Sequence, residues 1–130
     1  MGRKKVLAGN WKMNHTLDES ISLSSSIASY IHENPEILLK ADFLLCPAQV
    51  HLAPVRSVLR GMPVMLGGQN CSFEDNGAHT GDVSAAMLAD LGCQMVVLGH
   101  SERRQNHLAP SIEVAGKVLK VHEAGMVSVI

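Results

Sequence analysis

Short apolar runs alternate with longer amphipathic stretches along this 130-residue chain, and the alternation repeats four times. The runs at 6–9, 43–46, 64–67 and 95–98 predict strands, and residues 126–130 begin a fifth. The fourth run is nearly all apolar, as expected of a parallel strand that is covered on both faces. Four β–α units at nearly even spacing therefore predict the α/β class, a parallel sheet with outer helices.

Helix boundaries follow from capping residues and prolines. Thr16 and Glu19 have the spacing of a capping box, and Thr80 is predicted to cap a later helix. Pro54 either begins the helix predicted over about 49–60 or kinks it, and Pro110 suits the first turn of the last helix. The apolar faces predicted by periodicity are Leu17, Ile21, Ala28 and Ile31 on the first helix, and Ile112, Ala115, Leu119 and His122 on the last.

Length and composition indicate one domain over residues 1–130. The hydrophobic fraction of 46% and the charged fraction of 18% are typical of a globular protein with its own core. We find no linker and no low-complexity segment. Composition and periodicity alone do not decide between an open doubly wound sheet and a piece of a barrel.

Several classes of function lack support. A net charge of -1 favours no nucleic-acid partner, and no apolar run approaches the roughly 20 residues that span a membrane. No two histidines lie three or four residues apart and no CxxC pair occurs, so we expect no metal. The absence of a Walker loop and of a GxGxxG motif leaves no support for a nucleotide cofactor. Three widely spaced cysteines fit reduced thiols in a cytoplasmic protein.

Two strand ends carry candidate chemistry, because functional groups gather at the carboxyl ends of parallel strands. Asn10 and Lys12 follow the first strand and fall on the same side of the chain, with Trp11 opposite. An ammonium there would stabilise an anion or oxyanion. The alternative is an exposed lysine in a loop.

His100 follows the fourth strand and directly precedes a predicted helix. Backbone N–H groups and the positive helix end disfavour its protonated form there, so it could donate a hydrogen bond as a neutral imidazole. The alternative is a histidine that caps the turn. Arg103 and Arg104 are predicted to form a solvated or interface ion pair rather than to bind substrate.

Four segments together resemble the triosephosphate isomerase family, in family order and at family spacing. They are GNWKMN at 9–14, GQN at 68–70, GAHTGDVSAAML at 77–88 and LGHSERR at 98–104. The resemblance covers the whole chain, strands one to four plus the start of strand five. It implies the (β/α)4 half of a TIM (β/α)8 barrel, and an isomerase that converts dihydroxyacetone phosphate to glyceraldehyde 3-phosphate through an enediolate.

The resemblance also implies roles for particular residues. Lys12 would bind the triose phosphate substrate and stabilise negative charge, and Asn10 would contact the substrate oxygens. His100 would polarise the carbonyl, and Glu102 would be the supporting carboxylate near Lys12. For Glu102, the alternative is a first-turn glutamate favoured by the helix dipole, and the two roles are compatible. The long third loop would be a subunit interface at its tip, His79, Thr80 and Gly81.

The sequence departs from the family pattern in three places. No glutamate matches the family's general-base motif, and the lid and phosphate-binding loops are also missing, so we expect no activity from this chain alone. The acidic turn that usually pairs with the two arginines is replaced by residues 107–110, which read HLAP. Asp82 stands where glutamate is commoner.

Half of a barrel would leave inward residues such as Val6, Ala8, Val96 and Leu98 uncovered and strand edges unpaired. We therefore expect a homo-oligomer, a dimer in the simplest case, or a complex with a complementary C-terminal half. A non-catalytic, phosphate-ligand-binding or self-assembling scaffold is the alternative function.

Overall fold

The computed structural model describes residues 2–130, which form two compact units, one extending to Gly67 and one from Gly68 to Ile130. The strands are β1 (Lys5–Asn10), β2 (Ala41–Cys46), β3 (Met65–Gly68), β4 (Met95–Val97) and β5 (Val127–Val129). The α-helices are α1 (Leu17–Glu33), α2 (Leu52–Leu59), α3 (Ala85–Asp90), α4 (Ser101–Asn106) and α5 (Ser111–Glu123). Short 3-10 helices cover Pro35–Leu39 and Gln49–His51. The single domain over 1–130 stays a prediction.

In the first unit the strands are parallel. β1 pairs with β2 from Lys5↔Ala41 to Asn10↔Cys46, and β2 pairs with β3 at its carboxyl end. The side chains of β2 are largely buried, as befits a strand flanked on both edges. This register places the end of β1 beside the end of β2.

Helix α1 begins with the predicted capping box: the Thr16 hydroxyl accepts from the Glu19 amide, and the Glu19 carboxylate accepts from the Thr16 amide. Its predicted apolar face is only partly correct, because Leu17 is exposed while Ser20 and Ser24 are buried. Both serines are tolerated inside because their hydroxyls are bonded. Ser24 Oγ donates to the Ser20 carbonyl at 2.8 Å, and Ser20 Oγ lies 3.0 Å from Nδ1 of His51.

Pro54 lies in the first turn of α2, where a missing N–H leaves no helical hydrogen bond unmade. Of the two alternatives, the structure therefore supports the one in which Pro54 belongs to the start of the helix. The preceding residues, Gln49–His51, form a separate 3-10 turn.

In the second unit β4 and β5 are parallel, with the register Met95↔Val127 to Val97↔Val129. Helix α3 is capped by Ser84 and not by Thr80 as predicted, and Ser84 Oγ accepts from the Met87 amide at 3.1 Å. The reason is Gly81, whose φ of +90° breaks any helix that would start at Thr80.

The predicted face of α5 is wrong. Ile112 and Leu119 are exposed, whereas the buried stripe contains Val114, Lys117 and Val121. The sequence of α5 has apolar residues on two sides, and the side that includes Lys117 is the buried one. The expectation that Val96 and Leu98 would be uncovered is also wrong, since both are fully buried.

Candidate functional site

The end of β1 is fixed by its neighbour strand. Asn10 pairs with Cys46 in the sheet, and the next amide, that of Trp11, donates to the Cys46 carbonyl at 3.0 Å. The Trp11 side chain is only 8% exposed. The chain therefore leaves the sheet directly after Asn10 with a buried indole as its anchor.

Lys12 is exposed, and its backbone amide donates to Oδ1 of Asn10 at 3.0 Å. The structure thus brings Asn10 and Lys12 together. The φ of Lys12 is +55°, a left-handed conformation that costs a non-glycine residue on the order of 1 kcal/mol. Strain of this kind persists only where the surroundings impose it, and it gathers at functional sites.

Two residues that the sequence analysis did not single out contact Trp11, the residue directly before Lys12. Asn14 Nδ2 donates to the Trp11 carbonyl at 2.9 Å, and the His15 ring meets the Trp11 ring edge to face, with centroids 5.4 Å apart. His15 is itself left-handed, with a φ of +76°. Two left-handed residues within four positions are a backbone property that residue types alone do not reveal.

In the second unit, His100 is half-buried and is the N-cap of α4. Its Nδ1 accepts a hydrogen bond from the Glu102 amide at 3.2 Å. A ring nitrogen that accepts carries no proton, so the neutral ring then carries its hydrogen on Nε2. The capping alternative is thus what the structure shows, and it leaves Nε2 as a hydrogen-bond donor.

The residue before His100 has to be glycine. Gly99 has a φ of +64°, and a Cβ at this position would lie 2.8 Å from Nη2 of Arg104 and 3.0 Å from Val114. The backbone therefore turns sharply from β4 into α4, which sets the direction of the imidazole.

Glu102 lies in the first turn of α4, as the dipole argument favours, and its Oε2 is 3.6 Å from Nδ1 of His100. The structure thus brings Glu102 and His100 together. Because Nδ1 already accepts the Glu102 amide, the neutral ring has no proton to offer this carboxylate.

Arg104 is held by hydrogen bonds within the second unit, and the predicted solvated or interface ion pair of Arg103 and Arg104 stays a prediction. Arg104 Nε donates to the Gly99 carbonyl at 2.8 Å, and its Nη1 donates to Ser111 Oγ at 2.9 Å. Arg103 Nε is buried and has no hydrogen-bond partner within residues 2–130. This agrees with the loss of the acidic turn, because Ala109, whose amide donates to the Arg103 carbonyl at 3.3 Å, offers no carboxylate.

The predicted interface residues His79, Thr80 and Gly81 are all exposed. They lie in loop three, which we define as residues 69–84. Its neck is closed by the Ser72 amide, which donates to the Val83 carbonyl at 2.8 Å. Nearer the tip, the Asp82 amide donates to the His79 carbonyl at 3.0 Å, so the exposed segment is a folded turn.

Sequence reasoning missed Lys117, which is 6% exposed and donates to Oδ1 of Asn70 at 3.0 Å. Burial, and then the positive charge of Arg103, lower the pKa of Lys117. Its position three residues after Val114 and four before Val121 could have marked it as part of the buried stripe. Burial also raises the pKa of the Cys71 thiol to about 11 and that of the Cys93 thiol to about 11.

Among the residues that the structure describes, no group of three or more histidine, cysteine, aspartate or glutamate side chains could hold a metal ion. All three cysteines are buried thiols. No helix in the described part of the chain has the length and apolar character needed to cross a membrane.

Parallel β–α units with an ammonium and an imidazole just beyond the carboxyl ends of strands are typical of α/β-barrel enzymes. A family model described as triosephosphate isomerase matches residues 5–130. The chain belongs to the triosephosphate isomerase family.

Individual relatives agree. The chain is 44% identical over 126 residues to the triosephosphate isomerase of Acidiphilium cryptum, covering 97% of this chain and 47% of that protein. It is 41% identical over 132 residues to that of Nocardia farcinica, covering 100% of this chain and 50% of that protein. The crystal structure of triosephosphate isomerase from Bartonella henselae superposes with a TM-score of 0.87 at 38% identity, covering 97% of this chain and 50% of that one.

The predicted fold class, the (β/α)4 half of a TIM barrel, is therefore confirmed. The chain spans about half the length of the curated relatives that it matches.

Proposed function

We propose that this chain supplies the amino-terminal part of a triosephosphate isomerase active site, which interconverts dihydroxyacetone phosphate and glyceraldehyde 3-phosphate through an enediolate. The observation that supports it best is the hydrogen bond from the Glu102 amide to Nδ1 of His100. It leaves Nε2–H as a neutral donor, the form that can polarise a carbonyl and pass a proton between the two substrate oxygens.

Lys12 and Asn10 are proposed to bind the substrate. The ammonium of Lys12 would offset the charge of the phosphate and of the developing enediolate. The amide of Asn10 would contact the substrate oxygens while its Oδ1 keeps the Lys12 backbone in place at 3.0 Å. The left-handed backbone of Lys12 supports this proposal, because strained backbone conformations cluster at functional sites.

Glu102 is proposed to support the charge of the site, as in the family pattern. Its position in the first turn of α4 keeps a carboxylate beside the imidazole without competing for Nδ1. The proton-abstracting carboxylate is proposed to come from the part of the family's length that this chain does not span, on the same polypeptide or on another.

The complementary strands are proposed to pair with β1. In the first unit β1 is an edge strand that pairs with β2 alone, and Val6 and Leu7 are 45% and 54% exposed. Covering these two side chains would contribute about 1 kcal/mol each. The proposed partners are therefore a complementary C-terminal half, and a second copy that contacts loop three at His79, Thr80 and Gly81. A cytoplasmic location belongs to the same proposal.

The test is a coupled isomerase assay on the chain alone and after addition of the carboxyl-terminal half of a relative. The chain alone should lose most of the rate, since a general base contributes about 10² to 10⁴-fold. Activity should appear on mixing and disappear in Lys12→Met and His100→Asn, of which the second keeps a helix-capping side chain. Activity on mixing that both variants retain would refute the assigned roles.

A binding protein without turnover is the second candidate, favoured by the exposed and strained Lys12. Calorimetry with a phosphorylated enediolate analogue distinguishes it. Binding by a mixture that never turns over substrate would support this candidate, and failure to bind would exclude it.

A further inference from the structure

Helix α5 carries an ammonium group into the interior of the second unit. Lys117 is 6% exposed, and its Nζ donates to Oδ1 of Asn70, at the start of loop three, at 3.0 Å. Burying an ammonium costs several kcal/mol unless it is bonded. The cost of burying this ammonium has to be offset, and the hydrogen bond to Asn70 indicates what the lysine does.

The same face of α5 touches loop three at two further points. Phe73 packs over Gly116, where an added Cβ would lie 3.3 Å from the Cβ of Phe73. Lys120 Nζ pairs with the Asp75 carboxylate at 2.9 Å. Positions 116, 117 and 120 lie on one side of the helix. This side of α5 therefore contacts the first half of loop three at Asn70, Phe73 and Asp75.

The three contacts differ in strength. The Lys120 ion pair is exposed, and exposed pairs contribute little because water and salt screen them. The Lys117 bond is buried, and breaking it would leave Oδ1 of Asn70 without its donor. Lys117 is therefore the contact on which the position of the loop depends most.

Asn70 lies two residues before Ser72, whose amide closes the neck of the loop onto Val83. The Ser72 hydroxyl in turn accepts from the Glu74 amide at 3.0 Å. A displacement of Asn70 would therefore disturb the hydrogen bond between Ser72 and Val83 first, and then the turn that contains His79.

We infer that Lys117 is a positioning residue for loop three. It holds Asn70, and through the neck it sets the conformation in which the exposed tip is presented to a partner subunit. The last step rests on the proposed interface function of the tip, whereas the hold on the loop does not.

The experiment is amide hydrogen exchange on the 130-residue chain at neutral pH. In Lys117→Met, the Ser72 amide should exchange about tenfold faster, the equivalent of one lost buried hydrogen bond. The Leu98 amide, which donates to the Val129 carbonyl at 2.8 Å in the same unit, is the internal reference and should keep its rate.

Two matched variants separate positioning from general destabilisation. Lys120→Met removes an equal charge from the same helix face and should change Ser72 exchange less than threefold. Asn70→Asp keeps the acceptor and should retain the protection of Ser72. Equal acceleration at Ser72 and Leu98, or no acceleration at either, in Lys117→Met would overturn the inference.

Association of the chain, measured by light scattering, tests the last step separately. If Lys117→Met loosens the loop and weakens association while Lys120→Met does neither, the whole inference holds. If the loop loosens while association is unchanged, the hold on the loop is supported and its link to the interface is refuted.

Discussion

The Glu102 amide donates to Nδ1 of His100 at 3.2 Å, so the imidazole caps the helix that follows it. Nδ1 of the ring is thereby engaged in the helix cap, and Nε2 is left to donate a hydrogen bond to a substrate. The capping interpretation and the catalytic interpretation of His100 are thus compatible. The cap selects the tautomer that the proposed reaction requires.

The first prediction concerns this tautomer. At pH 8, nitrogen-detected NMR of the chain should show His100 with its hydrogen on Nε2 and with Nδ1 unprotonated. Ser101→Pro is a suitable comparison, since proline is favoured at the first position of a helix. The amide that donates to the His100 ring belongs to Glu102, so this variant should keep the same tautomer. A dominant Nδ1–H form in the parent chain would contradict the assignment.

The second prediction concerns strain at Lys12. Lys12→Gly and Lys12→Ala both remove the ammonium, but only glycine accepts a φ of +55° without cost. Urea unfolding should therefore find the glycine variant more stable than the alanine variant by about 1 kcal/mol. Both variants should lose binding of the phosphorylated analogue equally. Equal stability of the two would show that the left-handed backbone is not strained.

The third prediction concerns alkaline pH. Burial raises the pKa of the Cys93 thiol from 9.0 to about 11, so between these values the unfolded chain ionises while the folded one does not. The stability that this thiol contributes is complete below pH 9 and is lost as the pH rises to about 11. The loss amounts to up to about 3 kcal/mol.

Urea unfolding at pH 8 and pH 10.5 checks this, with Cys93→Ala as the control. The alanine variant should lose less stability over this interval, while the contribution of Cys71 remains in both proteins. Lys117 acts in the opposite sense: its lowered pKa makes its own contribution more favourable as the pH rises toward 10.5. Identical losses in the parent and the variant would refute the prediction for Cys93.

The fourth prediction concerns Arg103, whose buried Nε has no hydrogen-bond partner in the described chain. Ala109→Glu places a carboxylate on the residue whose amide already donates to the Arg103 carbonyl. The new pair should stabilise the chain by about 1 kcal/mol and raise the pKa of Lys117 by offsetting the neighbouring positive charge. Ala109→Gln, of equal length but without charge, should achieve less than half of this gain in thermal unfolding.

The elements that could be predicted from the sequence are those in which local chemistry and burial agree. Thr16 and Glu19 satisfy each other within one turn, so no distant contact was needed to place the start of α1. Thr80 was misread as a cap because it has a capping side chain, but the left-handed Gly81 that follows stops the helix. Ser84 has the same side-chain chemistry and the extended backbone that a cap needs.

The candidate site was predictable in part for a similar reason. Asn10, Lys12, His100 and Glu102 could be named because they follow strands in family motifs. Asn14 and His15 could not, because their contribution lies in how the backbone bends around Trp11. Lys117 was missed because a lysine within an apolar stripe is usually exposed, and only its partner Asn70, 47 residues away in sequence, shows why it is buried.

Trp11 is the single tryptophan of the sequence, and it lies directly before Lys12 with its ring against His15. The tryptophan fluorescence of the chain therefore comes from one indole, directly after β1. A ligand that binds the Lys12 ammonium would register as a change in emission without any label. The motif at residues 9–14 thus contains a natural fluorescence probe next to Asn10 and Lys12.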